Sequence, residues 1–413
     1  MSAVGKHSQP YPWEQRKLGE TFLFKKNNTF SRSELSFENG YVKNIHYGDI
    51  LVKYNEYLNV HNNSNIPFVT QNIPSNFSSS YLQDGDIVMA DTAEDETVGK
   101  STEISSLSSN DRVLAGLHTI PLSPKQKFGS GFLGFYLNSN SYHDKLRPLM
   151  QGIKVTSISK KNLKNTILQF PKELEEQKRI GKLFIKLNRT ITLHEEQHRR
   201  LEQLKKALLQ KMFADETGYP ALRFKGFAEK WDQRKFSELY SKNVERNSTN
   251  EFNFDKTISI AKMRYNSEGN GASKKSLQNY KVIRIGDVAF EGHTNKEFQY
   301  GRFVVNSLGN GIMSPRFAVL RPIRPTVVNF WKYYLYNERS MNRILVRATK
   351  AGTMMNELVY SDLAKEKIKV PIEKEQLEIG NLFSIVDKTI TLHDKKIQYL
   401  KQLKRGLLQK MFV

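Results

Sequence analysis

The 413-residue chain contains no cysteine. That excludes a disulfide framework, a cysteine-ligated zinc site and an iron–sulfur cluster. No run of about 18 apolar residues occurs, so no segment reads as a membrane-spanning helix. Residues 1–12 lack the apolar core of a signal peptide. Catalytic signatures are missing too. There is no Asn/Asp-Pro-Pro-Tyr/Phe, hence no amino-methyltransferase site, and no Gly-x4-Gly-Lys-Ser/Thr loop for a nucleotide. Acidic residues are in short supply: 42 Asp and Glu stand against 64 Lys and Arg, a formal charge of +22 and a pI near 9.7. A globular chain this basic is expected to meet a polyanion, and nucleic acid is the first expectation. An anionic membrane surface is the rival, but no Lys/Arg-rich amphipathic helix carries a bulky aromatic face. The expectation is a cytoplasmic protein of bacterial type.

What the chain does contain is a repeat. Gln177-Lys-Arg-Ile-Gly-Lys-Leu-Phe184, Thr190-Ile-Thr-Leu-His194 and Leu201-Glu-Gln-Leu-Lys-Lys-Ala-Leu-Leu-Gln-Lys-Met-Phe213 return as Gln376–Phe383, Thr389–His393 and Leu400–Phe412. The offset is a constant 199 residues, with 20 identities in 37 positions. A second repeat has another offset: Trp13-Glu-Gln-Arg-Lys-Leu-Gly-Glu20 matches Trp231-Asp-Gln-Arg-Lys-Phe-Ser-Glu238, 218 residues on. Each copy thus opens on Trp-x-Gln-Arg-Lys, passes through a variable stretch and closes on a repeated segment. The divisions are 13–170, 171–213, a linker 214–230, 231–370 and 371–413.

The repeated segment predicts a long helix. Ile180, Phe184, Leu187, Ile191, His194, His198 and Leu201 follow a 4-3 spacing, as do Ile379, Phe383, Val386, Ile390, His393, Ile397 and Leu400. The first seam is expected to continue through Leu204, Leu208 and Met212 after a one-residue slip, with Leu407 the counterpart of Leu208. Pro171 and Pro371 punctuate the two starts. About 37 residues at 1.5 Å each give a rod of roughly 55 Å. A seam must pack on something. A homodimeric coiled coil would serve a single helix; two copies in one chain favour internal, antiparallel pairing with a pseudo-two-fold. Such an arrangement suits a DNA target of two half-sites separated by an unread gap. The expected fold class is α+β, two recognition domains separated by two long antiparallel coiled-coil helices.

At this point the chain resembles the specificity subunits of type I restriction–modification systems. The resemblance rests on Trp231-Asp-Gln-Arg-Lys, the preceding Pro220-Ala-Leu-Arg-Phe-Lys-Gly-Phe227, the Glu-Gln-x3-Gly-x2-Phe helix starts (Glu176–Phe184 and Glu375–Phe383) and the Leu-Leu-Gln-Lys-Met-Phe ends. Gly48-Asp-Ile, Gly85-Asp-Ile-Val and Gly286-Asp-Val also fit. The first copy departs from the pattern, having only Pro10-Tyr-Pro-Trp13 in place of the full lead-in. The resemblance implies two target-recognition domains and a non-catalytic role. It implies double-stranded DNA, two adenine methyltransferase (modification) subunits and restriction/translocase subunits as partners. S-adenosylmethionine, ATP and Mg would belong to those partners, with no cofactor on this chain.

Residues with a chemical alternative are few. Gly129-Ser-Gly-Phe-Leu-Gly134 has the Gly-x-Gly-x-x-Gly form but lacks the following acid of a dinucleotide site, and reads as a turn. Gly269-Asn-Gly-Ala-Ser-Lys-Lys275 could cradle a phosphate or be a flexible loop. His194 and His198 could pair on a metal, yet the second copy keeps His393 and has Ile397, as a seam allows. Asp91-Thr-Ala-Glu-Asp-Glu96 lacks calcium-loop spacing and reads as a solvated loop. No metal site is expected.

Charge divides unevenly. Residues 13–170 hold 17 Lys/Arg and 15 Asp/Glu, whereas 231–371 hold 24 and 13. The DNA-contact candidates are Lys100, Lys125, Lys127, Lys160 and Lys161 in the first variable stretch. In the second they are Lys262, Arg264, Tyr265, Lys274, Lys275, Lys281, Arg284, Lys296, Arg302, Arg316, Arg347 and Lys350. Helix packing is assigned to Phe184, Leu187, Ile191, His194, Leu201, Leu208, Phe383, Val386, Ile390, His393, Leu400 and Leu407. Two other classes stay open: a coiled-coil transcription regulator that needs no partner, and a stand-alone nuclease, for which no Pro-Asp…Glu-x-Lys set is evident.

Overall fold

The computed structural model describes residues 13–38, 40–61, 63–152, 154–266 and 274–412. Two long helices, Leu174–Lys211 and Glu373–Met411, dominate it. The chain forms two compact units, Met1–Glu195 with Lys395–Val413, and Glu196–Asp394. Each unit holds the start of one long helix and the end of the other.

In the first unit the Trp-x-Gln-Arg-Lys motif becomes a strand, Glu14–Lys17, antiparallel to Ile167–Phe170 with Glu14 opposite Phe170. A five-stranded sheet runs in the order Phe22–Phe24, Thr119–Pro124, Ile87–Ala90, Ser101–Ser105, Tyr57–Asn59. A four-stranded sheet holds Val113–Ala115, Lys43–Ile45, Phe68–Val69 and Leu35–Ser36. Ile87-Val-Met-Ala90 is buried on both faces, which explains its unbroken apolar run. Side chains alternate along a strand, so Ile87 and Met89 enter one core cluster while Val88 and Ala90 enter another.

In the second unit the motif strand Asp232–Lys235 pairs with Lys367–Val370 in the same way, Asp232 opposite Val370. A four-stranded sheet follows the order Tyr240–Lys242, Ala318–Pro322, Val288–Glu291, Arg302–Val305. After the sheet come two helices, Val328–Tyr336 and Glu338–Ala348, which a single residue separates. That residue is Asn337: its side chain accepts from Ser340 N at 3.3 Å, capping the second helix, and donates to Leu209 O at 2.7 Å.

The two units share one frame. In the first, Trp13 meets Phe132 edge-on at 6.1 Å, Phe132 stacks on Tyr136, and Phe184 stacks on Phe412 at 5.6 Å. In the second, Trp231 meets Phe330 edge-on at 6.1 Å, Phe330 stacks on Tyr334, and Phe383 stacks on Phe213 at 5.8 Å. Each aromatic box is closed by the phenylalanine just past the end of the other copy's long helix. The beginning of one helix therefore packs beside the end of the other, which makes the pair antiparallel.

The helix-start motif has a physical reading. Gln177 donates to Pro171 O at 2.7 Å and accepts from Gly129 N at 2.9 Å, and Gln376 donates to Pro371 O at 2.9 Å. Four residues on, a Cβ at Gly181 would stand 2.1 Å from Ser130 O, and one at Gly380 would stand 2.8 Å from Phe330 N. The glycines let the long helix touch the backbone that opens a short helix in the variable region.

The seam residues Phe184, Leu187, Ile191, Leu208, Phe383, Val386, Ile390 and Leu400 are buried. Leu201 and Leu407 pack partly buried against the same clusters, and His194 and His393 are half-buried. The expected slip after Leu201 is corrected. Leu204 is 48 % exposed, and the inward series continues without a slip through Lys205, Leu208 and Met212. A residue at i+3 there lies about 100° of helical turn from one at i+4. The 4-3 phase therefore places Lys205 on the seam, where its ammonium meets Asp387 at 2.7 Å. Lys404 holds the equivalent place and meets Glu56 at 2.6 Å.

Candidate DNA interface

The alternatives to DNA binding resolve locally. The Gly129–Gly134 loop is already filled by a carboxylate of the chain. Glu103, on strand Ser101–Ser105, accepts from Gly131 N at 2.6 Å and Gly134 N at 3.0 Å, at the start of helix Phe132–Leu137. It occupies the place a phosphate would take at a helix N-terminus. Burial outweighs these bonds and pushes its carboxyl up to about 7. Gly134 is required by packing, since a Cβ there would lie 2.0 Å from Glu56 O. Sequence reasoning missed Glu103, because only the fold brings it under the loop.

In the acidic loop, Glu94, Asp95 and Glu96 are exposed; Asp95 accepts from Thr97 N at 2.9 Å and Glu96 meets Arg147 at 3.2 Å. His194 and His198 are both half-buried on the helix. No group of three or more His, Asp or Glu placed to hold a metal ion occurs among the described residues.

Two of the three Gly-Asp elements form a matched pair of turns, while Gly48-Asp49 lies in the helix Tyr47–Val52. Gly85 and Gly286 adopt positive φ of 88° and 89°, and Asp86 and Asp287 are buried. Asp86 accepts from Gln83 N and from Lys25 at 2.7 Å; Asp287 accepts from Arg284 N and from Arg321 at 2.8 Å. Arg321 and Arg284 also converge on Glu245, and Arg284 continues to Glu251. Hydrogen bonding to these carboxylates holds the Arg284 guanidinium above its ordinary range.

The basic candidates separate by what already holds them. Lys100 donates to Leu51 O at 2.7 Å, Lys125 to Gly19 O at 3.2 Å and Lys281 to Phe317 O at 2.7 Å. Burial lowers the ammonium pKa of Lys100 and of Lys281. Arg302 is bound to Glu291 at 2.6 Å and lies over the Phe298 and Tyr336 rings. Arg347 is bidentate on Glu366, and Lys350 meets Glu357 at 3.2 Å. Arg316 is exposed, near Met354 Sδ at 4.0 Å.

Lys127, Lys160, Lys161, Lys262, Arg264, Lys275 and Lys296 are exposed. Lys262 and Arg264 lie in a hairpin of Ile258–Ser259 with Arg264–Tyr265, whose turn carries Met263 at a φ of 44°. Tyr265 is half-buried, donates to Asn310 O at 3.1 Å and lies under the Lys256 ammonium. The Gly-rich stretch after this hairpin falls at 267–273, outside the described residues; Lys274 opens the short helix Lys274–Asn279. Sequence reasoning also missed Arg223, whose guanidinium is bidentate on buried Glu375 at 2.7 and 2.8 Å. That pair ties the Leu-Arg-Phe lead-in to the helix start. In the first copy, which lacks the lead-in, Glu176 is exposed.

The profile of the type I restriction modification DNA specificity domain matches the chain twice, over residues 10–203 and 204–402. The chain belongs to this family. A Methanocaldococcus jannaschii protein named for the type I restriction enzyme MjaX specificity subunit is 25% identical over 163 residues, 38% of this chain. The match spans 36% of that relative's length. The fold is that of the type I restriction–modification S subunit from M. genitalium, with a TM-score of 0.59 at 13% identity over 99% of this chain and 98% of that one. Another solved chain, from work on the complex assembly and conformational transition of a type I R-M system, gives a TM-score of 0.50 at 16% identity over 98% of both. Each family match carries one Trp-x-Gln-Arg-Lys strand, one variable region and most of one long helix. No helix among the described residues is long and apolar enough to cross a membrane.

Proposed function

We propose that this specificity-family chain reads a bipartite double-stranded DNA target, one half-site per unit, and has no catalytic step of its own. The observation that carries the reading is a constant frame holding divergent readers. The motif strand, the five residues of the aromatic box and the Gln and Gly of the helix start recur in both units, while the sheets and exposed cations differ between them. Direct readout by Lys127, Lys160 and Lys161 in one unit and Lys262, Arg264, Lys275 and Lys296 in the other would give each half-site its own sequence.

The enzymatic work belongs to partners: two adenine methyltransferase subunits and the restriction/translocase subunits, which would bring S-adenosylmethionine, ATP and Mg. The outward faces of the long helices suit such partners. Leu193 and Leu204 recur as Leu392 and Leu403, yet they are 52 %, 48 %, 66 % and 39 % exposed. Apolar identities kept on a solvent face fit a protein surface that docks there twice. Such an assembly would act on DNA in a bacterial cytoplasm.

Methylome sequencing of a host with and without the gene, alongside its modification gene, tests the reading. A split adenine motif should appear only with the gene. Leu193→Glu with Leu392→Glu should abolish both that motif and co-purification of the methyltransferase. A chain that purifies without partners and adds no methylation would overturn the proposal.

A further inference from the structure

The two long helices share most of their buried residues, but their first halves differ in the charge they expose. Between Gln177 and His194 the first helix carries Lys178, Arg179, Lys182, Lys186 and Arg189 and no acid. The equivalent stretch, Gln376 to His393, carries Glu378, Asp387 and Lys388. Formal charge therefore runs from +5 to −1 across a stretch in which ten of 18 residues are identical. Lys178, Lys182, Lys186 and Arg189 are all exposed, and their counterparts are Leu377, Asn381, Ile385 and Lys388.

Positions i, i+4, i+8 and i+11 lie within about 80° of helical turn, so these four cations form one stripe about 17 Å long. Lys178 meets Glu175 at 3.3 Å in an exposed pair, which water and salt weaken. The stripe belongs to the unit whose variable region is almost neutral, with 17 Lys/Arg against 15 Asp/Glu; the other unit's variable region has 24 against 13. The first unit thus places on its helix the positive charge that the second carries in its reader.

We propose that this stripe binds the sugar–phosphate backbone of DNA without reading its sequence, supplementing the first unit's weakly charged reader. The inference rests on the DNA-binding role proposed above. Long cationic side chains at about 6 Å intervals suit a polyanion, and a solvated surface has no need for a one-signed stripe on one copy alone.

The test uses the whole chain and a random-sequence duplex, titrated at several salt concentrations. Lys178→Gln, Lys182→Gln, Lys186→Gln and Arg189→Gln are combined in one variant. A control variant carries Lys388→Gln, Lys395→Gln and Lys396→Gln, three exposed cations of the second helix. Circular dichroism checks that both fold. The slope of log K against log salt should become shallower by about three to four in the first variant, at roughly 0.9 per phosphate contact. It should change by less than about one in the control, on the same scale. Affinity for target and random duplexes should fall by the same factor. A folded variant with an unchanged slope overturns the proposal. An unchanged slope with loss of a co-purifying methyltransferase also overturns it, assigning the stripe to a protein partner. A native chain that binds random duplex but never prefers a split motif would sink the specificity reading while leaving the slope comparison valid.

Discussion

Glu103 illustrates how much a single side chain can decide at the residue scale. Its carboxyl is held at a helix N-terminus by backbone N–H groups, which favours charge, yet burial prevails and raises it to about 7. The folded state then binds the proton more tightly than the unfolded chain, whose carboxyl titrates near 4.5. Stability from this group is complete below pH 4.5 and declines as pH rises through 7, by about 3 kcal/mol. Glu103→Gln should remove that slope. Thermal melts of both proteins between pH 5 and pH 8 check this as a difference: the native chain should lose stability relative to the variant as pH rises. The turn over Glu103 was legible from Gly129 and Gly131, but the helix that begins at Phe132 and contains Gly134 was not, nor was the carboxylate beneath it. Twenty-eight residues separate Glu103 from Gly131, and nothing local marks which carboxylate will come to lie beneath a given loop. The same holds for Arg223 and Glu375, joined across 152 residues.

At the scale of elements, the long helices were legible because burial imposes a period, and the period survives in the residues. The apparent slip near Leu204 arose because an apolar alphabet skips a lysine. Lys205 keeps the phase because Asp387 satisfies its charge at 2.7 Å, and a partnered polar residue is tolerated at a seam position. The closing phenylalanines make a sharper statement about packing. Phe412 is buried among Trp13, Phe132, Tyr136 and Phe184, and Phe213 among Phe330, Tyr334 and Phe383. Truncation should therefore damage the unit formed mainly by the other repeat. Phe412→Ala should cost about 3–5 kcal/mol and raise hydrogen exchange in the strands Glu14–Lys17 and Ile167–Phe170. Phe213→Ala should do the same to Asp232–Lys235 and Lys367–Val370. Exchange by mass spectrometry decides it; faster exchange spread equally over both units would refute this cross-dependence.

At the scale of the whole molecule, charge is distributed more unevenly than the shared frame. A formal charge of +22 favours long-range attraction to a polyanion, and the DNA binding proposed above should accordingly depend on salt. The sequence already placed half of the excess in residues 231–371, with 24 Lys and Arg against 13 Asp and Glu. The structure sorts that excess, because Lys281, Arg284, Arg302 and Arg321 are bound to carbonyls or carboxylates of the same unit, whereas the pairs of Arg347 and Lys350 leave both cations exposed, where water and salt weaken them. A guanidinium must leave its carboxylate to reach a base, and breaking a half-buried pair is costly. Among the described residues, no ion pair holds the exposed Lys262, Arg264 or Lys296. Replacing Lys262, Arg264 and Lys296 with Gln in the whole chain should make the salt slope on a random duplex shallower by about two to three. The same treatment of Lys127, Lys160 and Lys161 should change it by less, since the first variable region balances nearly every cation with an acid and leaves its phosphate grip to the helix. Equal slope changes in the two triple variants would mean that the two readers share the backbone contacts evenly, and the division of charge along the chain would then have no counterpart in binding.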